Sequence, residues 1–154
     1  MAFPPTLDGL TTREAVIDAV FRVTLAFDNA DAKLLESAMT ADAVLDVNGQ
    51  VTEGLNNLLN GSFERIGKLD TTHYTTNIRV TLKEGETAAS LTANFLAQHY
   101  REGEGMQPGA TRYLAGGFYF IELVKDQKDG LWKAKHWKLQ SIWGEGEYGV
   151  LTGK

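Results

Sequence analysis

The chain has 154 residues, with 43% hydrophobic and 23% charged positions and a net charge of −5 at pH 7. That is an ordinary composition for one globular domain, and its acidity opposes attraction to phosphate backbones or anionic lipid, so no nucleic-acid or membrane partner is expected. It contains no cysteine, which removes disulfides, thiolate metal ligands and a cysteine nucleophile.

The first ten residues, MAFPPTLDGL, lack the basic and apolar segments of a secretory leader. No later stretch approaches the roughly eighteen apolar residues of a membrane span. A cytoplasmic protein is therefore the expectation. Residues 1–10 hold two of the three prolines and read as an extended arm on a single domain, 1–154.

Thr11 to Glu14, TTRE, fits a capping box and predicts a helix start. Ile17, Phe21, Thr24 and Asp28 lie on one helical stripe beside a second of Val16, Val20, Val23 and Phe27, so the buried face is wide and ends in a carboxylate. Asp31 then caps a short second helix through Lys33, Leu34, Leu35 and Met39. Ala43 to Val47 reads as a strand and Asn48-Gly49 as a tight turn. Over 53–66, Leu55, Leu58, Leu59, Ser62, Phe63 and Ile66 share a helical face, although Gly54 and Gly61 weaken the propensity.

From Thr71 the period changes to two. The segments 71–82, 87–101, 112–124 and 131–142 are rich in aromatic and β-branched residues, and Gly85, the 103–109 loop and the 126–130 turn separate them. Strands joined by short loops pair antiparallel. Three helices followed by such strands make an α+β order. A sheet this long curls, and three helices cover only one of its faces, so a cone with an internal cavity is expected.

In AASLTANFLAQHYR the alternation puts Ala89, Leu91, Ala93, Phe95, Ala97 and His99 on one side. An imidazole among small apolar residues is a candidate for acid/base work in a sheltered cavity. The plainer reading is a core histidine satisfied by a carbonyl. His73, in TTHYTTN, falls near the same end of the neighbouring strand if the hairpin closes at Gly85. Asp28, at a helix C-terminus and on a buried stripe, needs a partner. Bound to a histidine it would fix the ring's tautomer and leave the other nitrogen to accept a proton. Otherwise it is solvated or caps the second helix.

No HxH, HxD or HExxH spacing points to a metal. No glycine-rich phosphate loop or nucleophile elbow is present, so no cofactor is expected. His136 reads as a surface or core-edge residue. Of Trp137 and Trp143, which share strand parity, one could line a pocket, and the phenol of Tyr113 or Tyr119 could bond a substrate oxygen.

Together these pieces resemble the SnoaL-like, scytalone dehydratase-like branch of the cone-shaped NTF2-like superfamily. FDNADAKLLESAMTADAVLDV resembles its first-helix exit, THYTTNIRV and FLAQHYR its two histidine strands, and DGLWKAKHWKLQSIWGEGE its closing strand and tail. The resemblance implies cofactor-free dehydration, cyclisation or double-bond migration on a small, hydrophobic, cyclic substrate of polyketide or terpenoid type. It also implies His99 as the base, oriented by Asp28, with His73 assisting the leaving group. Phe27, Val47, Gly117 and Tyr119 fall at the branch's substrate positions, and Tyr74, Asn77, Tyr113 and Trp143 are the further candidates around the substrate. Two tyrosines of that pattern are replaced here by Phe27 and Val47, so polarisation of the carbonyl is either lost or supplied elsewhere, by Tyr74, Tyr113 or Tyr119. The alternative is a non-catalytic carrier of small ligands or a dimerising protein, since the fold alone does not decide. Phe118, Phe120 and Val124 oppose Tyr119 and Ile121 in parity, so the outer face is apolar on either assignment and a homodimer or homotrimer is expected.

Overall fold

The computed structural model describes residues 2–154, and Met1 of the expected arm lies outside them. Residues 2–10 are exposed and form no helix or strand. Helix α1 (Thr12–Asn29) starts on the capping box, with Thr11 and Glu14 each binding the other's backbone N–H. It ends at Ala30 in a left-handed conformation. Asp31 caps α2 (Ala32–Ala38) by accepting from the Leu34 N–H at 3.0 Å. Met39, expected at the end of that helix, instead opens strand β1 (Met39–Val47). Strand β2 (Gln50–Glu53) returns across the Asn48-Gly49 turn.

The expected helix over 53–66 is split into α3 (Leu55–Leu58), a π-helical turn (Leu59–Phe63) and α4 (Glu64–Ile66). Gly61 lies inside the π turn. The long strands are β3 (Asp70–Thr81), β4 (Ala88–Tyr100), β5 (Arg112–Lys125) and β6 (Trp132–Gly146), and a one-turn helix α5 (Gly149–Thr152) closes the chain.

The six strands form one curved, unclosed sheet in the order β2-β1-β6-β5-β4-β3. All neighbours run antiparallel except β1 and β6, which are parallel. That junction needs a crossover, and the whole β2-to-β5 segment supplies it. The architecture is the α+β cone expected from the order of elements, with helices on the concave face.

Alternation along β4 buries Ala89, Leu91, Ala93, Phe95 and Ala97 against Val16, Val20 and Val23 of α1. Each large apolar side chain so buried contributes about 1.5–3 kcal/mol. Arg22 joins this layer with its charge fully engaged. Its Nε donates to Asp18 at 2.8 Å, one terminal nitrogen donates to the Ser37 carbonyl and hydroxyl, and the other donates to the Trp132 carbonyl at 2.8 Å. It therefore ties α1 to α2 and to the start of β6. No helix among the described residues is long and apolar enough to cross a membrane.

Candidate active site

The sheet and the helices enclose a cavity of about 330 Å³. Its walls are mostly apolar, with Val23, Phe27, Met39, Leu45, Val47 and Trp137 among them. His73 and His99 both open onto it. Their rings meet edge to face with centroids 5.4 Å apart.

Asp28 pairs with His73, where the sequence reading expects His99. One carboxylate oxygen, Oδ1, lies 2.6 Å from His73 Nδ1, and Oδ2 accepts the backbone N–H of the same residue at 2.9 Å. The reason is which strand the helix reaches. Helix α1 packs along β3, the edge strand, so its last turn meets β3 rather than β4. Register adds to this: His73 stands opposite Ala97 and His99 opposite Thr71, so the two histidines are offset by two positions.

Asp28 and His73 are shielded but reachable, with side chains 12% and 13% exposed. A carboxylate that accepts from Nδ1–H leaves Nε2 with the lone pair, the arrangement of a general base. His99 is 5% exposed, and its Nδ1 donates to the Tyr113 carbonyl at 3.3 Å. Burial first and the neighbouring His73 second lower its pKa to about 4, against the small opposing pull of that carbonyl and of Asp28. At neutral pH His99 is therefore an uncharged ring that accepts through Nε2.

The other expected residues divide into two groups. Phe27, Val47, Tyr113 and Tyr119 line the cavity. Tyr119 is stacked on Phe95 and edge-on to Trp137. Burial, with the Asp28 charge adding to it, pushes its phenol up, so the hydroxyl stays protonated. That hydroxyl has no hydrogen-bond partner among the described residues, which leaves it free as a donor.

Tyr74, Asn77, Gly117 and Trp143 do not line it. Tyr74 points out of the sheet and is 53% exposed. Asn77 sits at a bulge between Thr76 and Arg79 with φ of 51°, and its amide donates to Asn94 at 3.0 Å. Gly117 has the inward parity of Ala115 and Tyr119, but a Cβ there would lie 2.0 Å from the Gln140 carbonyl oxygen, so its role is to let two strands approach. Trp143 leaves the row of Trp137, Leu139 and Ser141 because the register shifts between Gly116 and Gly117 and one residue of β6, Ile142, is left unpaired. The shift turns Trp143 outward across Gly116.

Several lining residues escaped the sequence reading. Leu58, Ser62, Arg65 and Ile66 come from the helical segment between β2 and β3, and Tyr148, Leu151 and Thr152 from the C-terminal turn. Leu58, Ser62 and Ile66 belong to the helical face legible in the sequence, and Arg65 does not. The C-terminal set carried no signal beyond an apolar pair in YGVLTG. Among the described residues no three histidine, aspartate or glutamate side chains are grouped to hold a metal ion.

Comparison with known proteins bears on the family and the fold. The chain is 49% identical over 151 residues to the terrestric acid biosynthesis cluster protein E of Penicillium crustosum, covering 97% of this chain and 96% of that one. A candidate scytalone dehydratase of Novosphingobium aromaticivorans DSM 12444 superposes with a TM-score of 0.73 at 20% identity, over 88% of this chain and 87% of the other. A hexachlorocyclohexane dehydrochlorinase of Novosphingobium barchaimii LL02 superposes at 0.69 with 20% identity, over 90% and 92% of the two chains. At such identities the structural likeness carries the fold alone. Residues 8–138 match the SnoaL-like domain, and with this coverage the chain belongs to the SnoaL-like family.

Proposed function

We propose that the chain is a cofactor-independent lyase or isomerase of secondary metabolism in which His73, held by Asp28, removes a proton beside a carbonyl of a small cyclic substrate. The observation that carries this is the 2.6 Å bond between Asp28 and His73 at the wall of a mostly apolar cavity. The relative named for a terrestric acid biosynthesis cluster supports the metabolic setting. The substrate class is hydrophobic, of polyketide or terpenoid type, in keeping with the cavity walls.

In this reading Tyr119 donates to the substrate carbonyl and steadies the enolate that forms. His73 takes the proton on Nε2, and Asp28 stabilises the imidazolium. When a hydroxyl leaves from the adjacent carbon, the same imidazolium returns its proton to it. The C–H and C–O bonds break, a C=C bond forms, and water departs. His99, neutral and proton-free on its Nε2, accepts from a substrate hydroxyl and orients it. The assignment of His99 as the base gives way to His73, because Asp28 reaches His73.

Solvent-deuterium exchange at the α-carbon of 2-tetralone, followed by NMR, tests the reading without the native substrate. The wild type is expected to accelerate exchange, and His73→Asn to lose about 10²- to 10⁴-fold of that acceleration. Equal rates for the two proteins would reject it.

A further inference from the structure

We infer that the substrate carries an ionised acidic group, and that Arg65 anchors it at the mouth of the cavity. The inference rests on the proposed chemistry only for calling the ligand a substrate.

The lining holds a single permanently charged side chain, Arg65, and no carboxylate. Arg22, Lys68 and Lys133 are ion-paired with carboxylates, whereas Arg79 and Arg112, like Arg65, have no ion-pair partner among the described residues; what sets Arg65 apart is that it borders the cavity. Arg65 has no hydrogen-bond or ion-pair partner among the described residues. In a protein of net charge −5, an unpaired guanidinium at a cavity wall is a local exception that favours an anionic ligand.

Its position fits that role. Arg65, Leu151 and Thr152 border both the cavity and a shallow groove outside it, so the guanidinium stands between the two, at the opening. The groove also holds Glu64, Lys68 and Glu102. Glu64 is bound to Lys68 at 2.8 Å, and Glu102 lies beyond ion-pair distance of Arg65. Ser62, three residues earlier, borders the cavity with a buried hydroxyl that has no hydrogen-bond partner. Ser62 and Arg65 thus bring an unpaired hydroxyl and an unpaired guanidinium to the cavity from one short helical stretch.

A planar guanidinium matches a carboxylate with two parallel hydrogen bonds. Arg65 is exposed enough to stay hydrated when empty. A ligand would thus enter with its ring toward His73 and its acid left at the rim.

Calorimetric titration with 2-naphthoate and 2-naphthamide at pH 7 tests this, because the two share shape and the amide puts a neutral NH2 where the acid has a charged oxygen. The wild type is expected to bind the acid at least about tenfold more tightly than the amide, through charge-assisted bonds the amide cannot make. Arg65→Gln should abolish that preference, and continued binding of the amide shows that the cavity is intact. Arg65→Lys should restore part of it. His73→Asn should keep the preference in full, so the anchor stands even where the proton-transfer reading fails. Equal affinities in the wild type, binding of neither ligand, or a preference that survives Arg65→Gln would each overturn the inference.

Discussion

Asp28 holds His73 at two points, the ring through Oδ1 and the backbone N–H through Oδ2. The ring is therefore oriented by the strand that carries it as well as by its own bond. Asp28→Asn keeps the shape but replaces one acceptor by a donor, which confronts either the ring nitrogen or the backbone N–H. Exchange into 2-tetralone should fall by about 10²- to 10⁴-fold, as for loss of a general base, with ligand affinity little changed. An unchanged rate would separate the pair from the chemistry.

His99 makes the fold sensitive to acid. Its folded pKa is near 4 and its ordinary value 6.5, so between these values the unfolded chain binds more protons than the folded one. Stability is then full above about pH 6.5 and falls as the pH drops toward 4, by up to roughly 3 kcal/mol. Urea denaturation at pH 7.0, 5.5 and 4.5 should show that decline in the wild type and a flatter one in His99→Gln. Parallel curves would count against burial as the cause.

Arg22 is the buried cation on which two helices and β6 converge. Arg22→Met should cost about 3–5 kcal/mol, because Asp18 loses its counter-charge and two carbonyls lose a donor. The midpoint of urea unfolding measures it.

Gly117→Ala should destabilise by about 1–3 kcal/mol or more, since the added methyl meets a backbone oxygen that cannot swing away. Thermal melting checks it. The same substitution at Gly61, where nothing lies within 4 Å of a Cβ, should not lower the melting point.

Phe118 and Phe120 lie exposed on the convex face of β5, with Leu96 exposed on β4 and Ile142 and Trp143 on β6. We propose that this row is covered by further copies of the chain, as a homodimer or homotrimer. Sedimentation velocity at micromolar concentration should give a multiple of 16.9 kDa for the wild type and a lighter species for Phe120→Lys. A wild-type monomer would refute the proposal.

The sequence by itself determined α1, α2, β1 and the four long strands, but not β2, the π turn or α5. A capping box, period-two strands and turn glycines act over a few residues, so Thr11, Asp31, Asn48-Gly49 and the inward row ending at His99 could be read locally. It also marked Asp28 as a carboxylate in need of a partner. What it left undecided was which histidine that partner is. His73 and His99 differ by one strand in the sheet, and only the packing of α1 along β3 chooses between them. Bulges decided the fates of Asn77 and Trp143 in the same way: a single unpaired residue reverses every later side chain, and a bulge depends on the partner strand rather than on its own residues. Arg65 was hidden for a related reason, since an arginine on an amphipathic helix looks solvated until the fold shows what it faces. Local chemistry is written along the chain, whereas pairing across strands and helices is settled only when distant segments compete for the same space.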